Sequence, residues 1–190
     1  MPKLRKETKA ELSAVFANDA VIRTYRNQTV VSKVTVPRPS DSIKRKEIND
    51  LFTEANSWAK ETLKDPAMRE YYEKGVNDKL SNAHTVALTD YLHAPEIHYV
   101  NLKDYTGTPG DPIRIKATDN FRVTSVIVKI TNAKGILLEE DEAIRYKRKP
   151  TMWLYNTKIG NPLLPGTVFI VSAMDLPGNV TEMEYKLSGE

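Results

Sequence analysis

The chain has no cysteine among its 190 residues. Disulfides, thiolate metal ligands and cysteine nucleophiles are therefore excluded. The same absence fits a reducing compartment. No apolar run reaches the roughly 20 residues that a helix needs to cross a bilayer. The opening stretch MPKLRKETKAEL has no apolar core of signal-peptide length. A cytoplasmic location is the expectation that follows. Histidine is scarce, with only His84, His93 and His98. No GxSxG, phosphate loop, GxGxxG, HExxH or kinase-type set occurs. No catalytic residue and no cofactor is expected, and the chain reads as a non-enzyme.

What is present is globular in composition, 40% hydrophobic and 28% charged. A chain of this length accommodates two modules of about 90 residues each. The net charge of +3 hides an uneven distribution. Residues 1–46 carry 11 basic and 4 acidic side chains, residues 47–95 carry 5 and 9, and residues 96–190 carry 12 of each. A basic arm can meet nucleic acid, an anionic membrane or an acidic protein, and it can equally be a solvated terminus. Arg23, Arg26, Arg38, Lys44, Arg45 and Lys46 form the candidate partner surface.

Residues 1–19 are charged and aperiodic apart from a short helical stretch at Lys9 to Phe16. Val21 to Tyr25 and Thr29 to Val36 are β-rich, with Arg26-Asn27-Gln28 between them as a turn, and Pro37-Arg38-Pro39 ends the second run. A helix capped by Ser40 or Asp41 follows. It places Ile48, Leu51, Phe52, Ala55 and Ala59 on one face. Asp65 caps a second helix with Pro66 at its first position, and Gly75 stops it. Ser81 or Asn82 caps a third, Ala83 to Leu92, with Val86, Ala87 and Tyr91 inward. Ala94-Pro95 closes the helical module, residues 20–94.

From Glu96 the period changes from 3.6 to 2. Ile113, Ile115 and Ala117 alternate with polar residues, as do Val126, Val128 and Ile130. Ile136 to Glu139 and Met152 to Tyr155 are further strands, with a charged loop between them. Gly166 to Leu187 is a hairpin whose return strand puts Thr181, Met183, Tyr185 and Leu187 on one face. About seven short strands in residues 95–190 predict an antiparallel β-sandwich. The expected fold class is α+β in two modules: a small helical bundle with a β-hairpin, then a seven-stranded sandwich. No Gly/Ser linker separates Leu92 from Ile97, so the two are expected to pack together.

The segments Gly110-Asp111-Pro112-Ile113-Arg114-Ile115, Ala117-Thr118-Asp119-Asn120-Phe121-Arg122-Val123 and Ala173-Met174-Asp175-Leu176-Pro177-Gly178-Asn179-Val180-Thr181 resemble bacterial immunoglobulin-like or fibronectin type III-like domains. With Val86-Ala87-Leu88-Thr89-Asp90-Tyr91-Leu92 and Pro95 before them, residues 20–187 resemble a family of uncharacterised bacterial proteins that join a helical segment to such a sandwich. The resemblance implies an architecture and no activity, so no catalytic residue transfers.

Candidate chemistry is sparse. His93 and His98 flank Pro95 and could approach Asp90 or Glu96 as in a zinc site, although no metal-binding spacing accompanies them. Asp119 and Asp175 stand at strand ends, where loop carboxylates bind calcium in some sandwiches. The competing use of both is to accept backbone N–H groups in turns. Glu139-Glu140-Asp141-Glu142 before Arg145-Tyr146-Lys147-Arg148-Lys149 reads as a solvated loop of opposite charges. Tyr146, Trp153 and Tyr155 could form an aromatic platform, but a Trp on a central strand is more often core. The expected function is non-catalytic, a structural or binding module engaging a protein or glycan. The alternative is nucleic-acid binding through the basic arm and the helices. The helices resemble an HMG box in Phe52, Trp58, Asp65-Pro66 and Tyr71-Tyr72-Glu73-Lys74. The acidic excess of residues 47–95 argues against a phosphate-binding face.

Overall fold

The computed structural model describes residues 20–25, 28–33 and 43–187. The chain divides between Lys46 and Glu47 into two units. In the first, β1 (Ala20–Tyr25) and β2 (Gln28–Lys33) form an antiparallel hairpin in which Tyr25 already faces Gln28. The expected Lys9 to Phe16 helix, the Ser40 or Asp41 cap, and Arg26 and Arg38 lie outside the described residues.

Three helices follow. α1 spans Ile43–Thr62, α2 Pro66–Glu73 and α3 Ala83–Leu92. The N-caps of α2 and α3 are those the side-chain chemistry requires. Asp65 accepts from Ala67 N at 2.9 Å with Pro66 in the first turn, and Asn82 accepts from Thr85 N at 2.9 Å. Ala59, Leu63, Tyr72, Val86 and Ala87 make the helical core, with Trp58, Tyr71 and Phe121 packed on it. Only the C-terminal half of the α1 stripe is used. Ala55 and Ala59 are buried, whereas Ile48, Leu51 and Phe52 are exposed.

The two sheets that follow are antiparallel and four-stranded. In chain order the strands are β3 Glu96–Asn101, β4 Pro112–Thr118, β5 Ser125–Thr131, β6 Leu137–Glu142, β7 Ile144–Arg145, β8 Met152–Asn156, β9 Val168–Met174 and β10 Val180–Lys186. One sheet has the order β10-β9-β5-β6 and the other β3-β4-β8-β7. Inward residues from both sheets share one core, among them Ile113, Ile115, Val126, Val128, Trp153, Tyr155, Phe169 and Val171. Each fully buried large side chain contributes roughly 1.5–3 kcal/mol.

The sandwich has eight strands where the sequence suggested seven, because the acidic half of the charged run is not a loop, whereas Lys147 to Lys149 lies in an exposed turn. Glu139–Glu142 continues β6 in pairing with β5, Ala143 turns inward, and Ile144–Arg145 joins the other sheet against β8. A strand that changes sheets at a buried alanine turns a corner of the sandwich. Glu139 is consequently buried, and it accepts the Tyr155 hydroxyl at 2.7 Å and Lys158 N at 2.8 Å. Burial, with Glu139 beside it, pushes the Tyr155 hydroxyl well above its ordinary range.

The helices pack on the sandwich through Phe121, which stacks on Tyr72 with centroids 5.1 Å apart and meets Tyr71 edge-on. Gly75 permits this approach. A Cβ there would stand 2.6 Å from Phe121 and 2.7 Å from Val86. No helix among the described residues is long and apolar enough to cross a membrane.

Candidate metal centre

Three aspartates converge where the helices meet the strand ends. Asp119 follows β4 directly, Asp175 follows β9 directly, and Asp90 lies in the last turn of α3. One carboxylate oxygen from each lies within 4.8 Å of the other two. Asp90 and Asp175 are buried and Asp119 is half-buried.

Each aspartate is held by its own element. Asp119 accepts Asn120 N through Oδ1 at 2.8 Å and Arg122 N through Oδ2 at 3.1 Å. Asp175 Oδ1 accepts Gly178 N at 2.9 Å and Asn179 N at 2.7 Å, shaping the β9–β10 turn. Gly178 takes φ 97°, a conformation that favours glycine. The Asn179 amide then links the elements. Its Nδ2 donates to Asp175 Oδ2 at 2.7 Å, to the Tyr91 carbonyl at 3.1 Å and to the Asp90 carbonyl at 3.3 Å. Thr181 Oγ1 donates to the Pro95 carbonyl at 2.5 Å just beyond.

Asp90 differs from the other two. Its Oδ2 accepts the Tyr72 hydroxyl at 2.8 Å, while its buried Oδ1 receives no donor among the described residues. Burial pushes its carboxyl well above the ordinary range. The Tyr72 bond works the other way, and the Asp119 and Asp175 charges add to the rise. Burial also raises Asp175, against the pull of its Asn179 and Gly178 bonds. The Tyr72 hydroxyl is driven far up, first by burial and then by Asp90. Like charges this close cannot all stay ionised without a proton or a cation among them.

The two sequence candidates Asp119 and Asp175 thus come together, and their turn duty and their convergence coexist. His93 and His98 do not join them. His93 Nδ1 lies 2.7 Å from the Thr89 carbonyl at the end of α3, and His98 Nε2 lies 2.5 Å from Thr118 Oγ1 with Glu96 3.6 Å away. Sequence reasoning placed Asp90 only beside the histidines. The signal for its burial was its position three and four residues after Ala87 and Val86, on the face that α3 buries. Trp153 and Tyr155 are core, and Tyr146 is 37% exposed. Arg23 lies on β1 opposite Val30, and Lys44, Arg45 and Lys46 lie exposed in the first turn of α1.

No protein-family model matches the chain, and no curated protein matches it. Solved structures are similar to part of it. CopC from Methylosinus trichosporium OB3b is 14% identical with a TM-score of 0.38, over 48% of this chain and 89% of that one. A lipoprotein from Bacteroides thetaiotaomicron is 13% identical with a TM-score of 0.28, over 52% and 80%. An engineered protein is 12% identical with a TM-score of 0.35, over 53% and 21%.

Proposed function

We propose that this protein is a non-catalytic binding module, an immunoglobulin- or fibronectin type III-like sandwich with a helical segment, that engages a protein partner through α1. One observation carries the reading. The apolar stripe of α1 runs on past its buried end. Ile48, Leu51 and Phe52 are 59%, 47% and 51% exposed, while Ala55 and Ala59 on the same face are fully buried. Apolar area left in water forfeits roughly 25 cal/mol per Å², and a contiguous patch of this kind marks protein contacts. Glu47, Asp50 and Glu54 run along one border of the stripe. They favour a partner whose apolar ridge is edged by Lys or Arg. A protein is preferred to a glycan because Trp153 and Tyr155 are buried in the core. Kinship with the bacterial family named above and a cytoplasmic location belong to the same proposal. The order of helices and antiparallel sheets supports the kinship.

Titration with amphipathic helical peptides tests this. Peptides with an apolar stripe edged by lysine bind, those edged by glutamate do not, and Phe52→Asp abolishes binding with the fold intact. Equal binding of both sets, or of the variant, overturns the reading. A second reading keeps nucleic acid as the partner, favoured by Lys44, Arg45 and Lys46 exposed in the first turn of α1. Duplex DNA bound with an affinity that falls steeply as salt rises supports it. No binding at low salt excludes it.

A further inference from the structure

We infer that Asp90, Asp119 and Asp175 hold a hard divalent cation, calcium best, which ties α3 to the two strand ends of the sandwich. The inference is independent of the partner surface on α1.

A group of aspartates is not by itself a site, since turn aspartates are often near one another. The second observation is Asp90. Its side chain is fully buried, its Oδ2 is taken by Tyr72, and its Oδ1 receives no hydrogen-bond donor among the described residues. The carboxylate faces Asp119 and Asp175, with an oxygen of each residue within 4.8 Å of the others. A buried carboxylate oxygen that nothing satisfies is costly, so a native structure has a reason for it. Among the described residues no lysine or arginine pairs with any of the three. The ion pairs there join Lys64 to Glu61, Lys74 to Glu70, Arg114 to Asp104, Lys129 to Glu140 and Lys158 to Asp141. The nearby Arg122 guanidinium lies over the Tyr71 ring at 5.0 Å and the Phe121 ring at 5.5 Å. No ion pair with lysine or arginine thus neutralises the trio among the described residues.

The donor chemistry selects the ion. All three side chains offer carboxylate oxygen, and no imidazole or thiolate joins them among the described residues. Oxygen-only sets suit calcium, magnesium or manganese, whereas zinc and copper favour nitrogen and sulfur. Calcium tolerates irregular geometry and accepts further oxygens from water, which suits ligands brought by three separate elements. The backbone N–H bonds to Asp119 and Asp175 and the Tyr72 bond to Asp90 fix the ligands before the ion arrives. Such outer partners orient ligands in metal sites. A proton shared between Asp90 and Asp119 is the competing way to relieve the charge, and the test separates the two.

The full chain is stripped with chelator and titrated at pH 7.5 with calcium, magnesium, manganese and zinc chlorides. Calcium is expected to bind one to one by calorimetry. It should raise Tm by about 5 °C or more at a hundredfold excess over Kd. Terbium in its place should give tyrosine-sensitised emission, because Tyr72 touches Asp90, and calcium should quench that emission by competition. Asp119→Asn should lower calcium affinity about tenfold or more, the loss that disturbing even an outer partner brings. Asp119 is half-buried and carries the least packing, so this variant keeps the test open if Asp90→Asn fails to fold. Absence of binding by all four metals overturns the inference in favour of the shared proton. Binding that Asp119→Asn leaves unchanged overturns it too, as does a preference for zinc.

Discussion

The Tyr72 hydroxyl donates to Asp90 Oδ2 at 2.8 Å, and both side chains are fully buried. The bond joins α2 to α3 beneath Phe121, and no other fixed donor reaches either Asp90 carboxylate oxygen among the described residues. Tyr72→Phe keeps the ring packing and leaves both oxygens unpartnered. A loss of about 1–3 kcal/mol is expected, the desolvation cost of a buried group that loses its partner. Urea unfolding of the metal-free protein measures it. A change within about 0.5 kcal/mol, typical of a surface substitution, would refute the buried bond.

Glu139 separates two readings of the acidic run. In a solvated loop, all four acids would be equivalent. In the folded chain Glu139 alone is buried and receives both Tyr155 and Lys158 N. Glu139→Ala is expected to cost about 2 kcal/mol or more, since it strands a buried hydroxyl and an amide. Glu140→Ala and Glu142→Ala are expected to stay within about 0.5 kcal/mol. Matched thermal melts of the three variants decide.

Gly75 and Gly110 give opposite reasons for cost. At Gly75 a Cβ meets Phe121 at 2.6 Å, so Gly75→Ala forces the helix–sandwich contact apart and should cost about 1–3 kcal/mol. At Gly110 nothing lies within 4 Å, but φ is +97°, so Gly110→Ala carries backbone strain alone, about 1 kcal/mol. The near-ultraviolet dichroism of the aromatic cluster should change in the first variant and not in the second.

Asp111 provides a pH signature away from the carboxylate trio. Backbone N–H bonds from Thr106 and Thr108 hold its carboxyl below the ordinary value of 3.8. A carboxyl depressed in the folded state contributes stability that is present above its unfolded value and is lost as pH falls through its folded one. Asp111→Asn should therefore destabilise at pH 7, and its deficit should shrink as pH drops below about 4. Denaturant midpoints of parent and variant across that range check the sign. A deficit that grows toward acid would contradict it.

Much of the fold was legible because it rests on local rules. The Asp65-Pro66 start of α2, the Asn82 cap of α3 and the alternation along β4, β5 and β9 follow from caps and period 2, which neighbouring residues specify. The α1 stripe was legible as a stripe, but how much of it is covered was not. Coverage depends on how far the helical core extends, and that core starts only near Ala55. The charged run misled for a related reason. Its charge suggested water, while the buried Glu139 is satisfied by Tyr155, which lies on another strand of the other sheet.

By itself, the sequence determined that this chain carries no thiol, that a hairpin and then helices precede a run of short antiparallel strands, and that Asp119 and Asp175 stand at strand ends. These follow from composition and from interactions spanning a few residues. Only the tertiary structure decided that Asp90, from a helix about 30 residues before Asp119 and 85 before Asp175, completes a group with them. Convergence of distant carboxylates is set by how α3 docks on the β4 and β9 ends, through Tyr72, Phe121 and Asn179. Packing of this kind leaves no periodic trace in the chain.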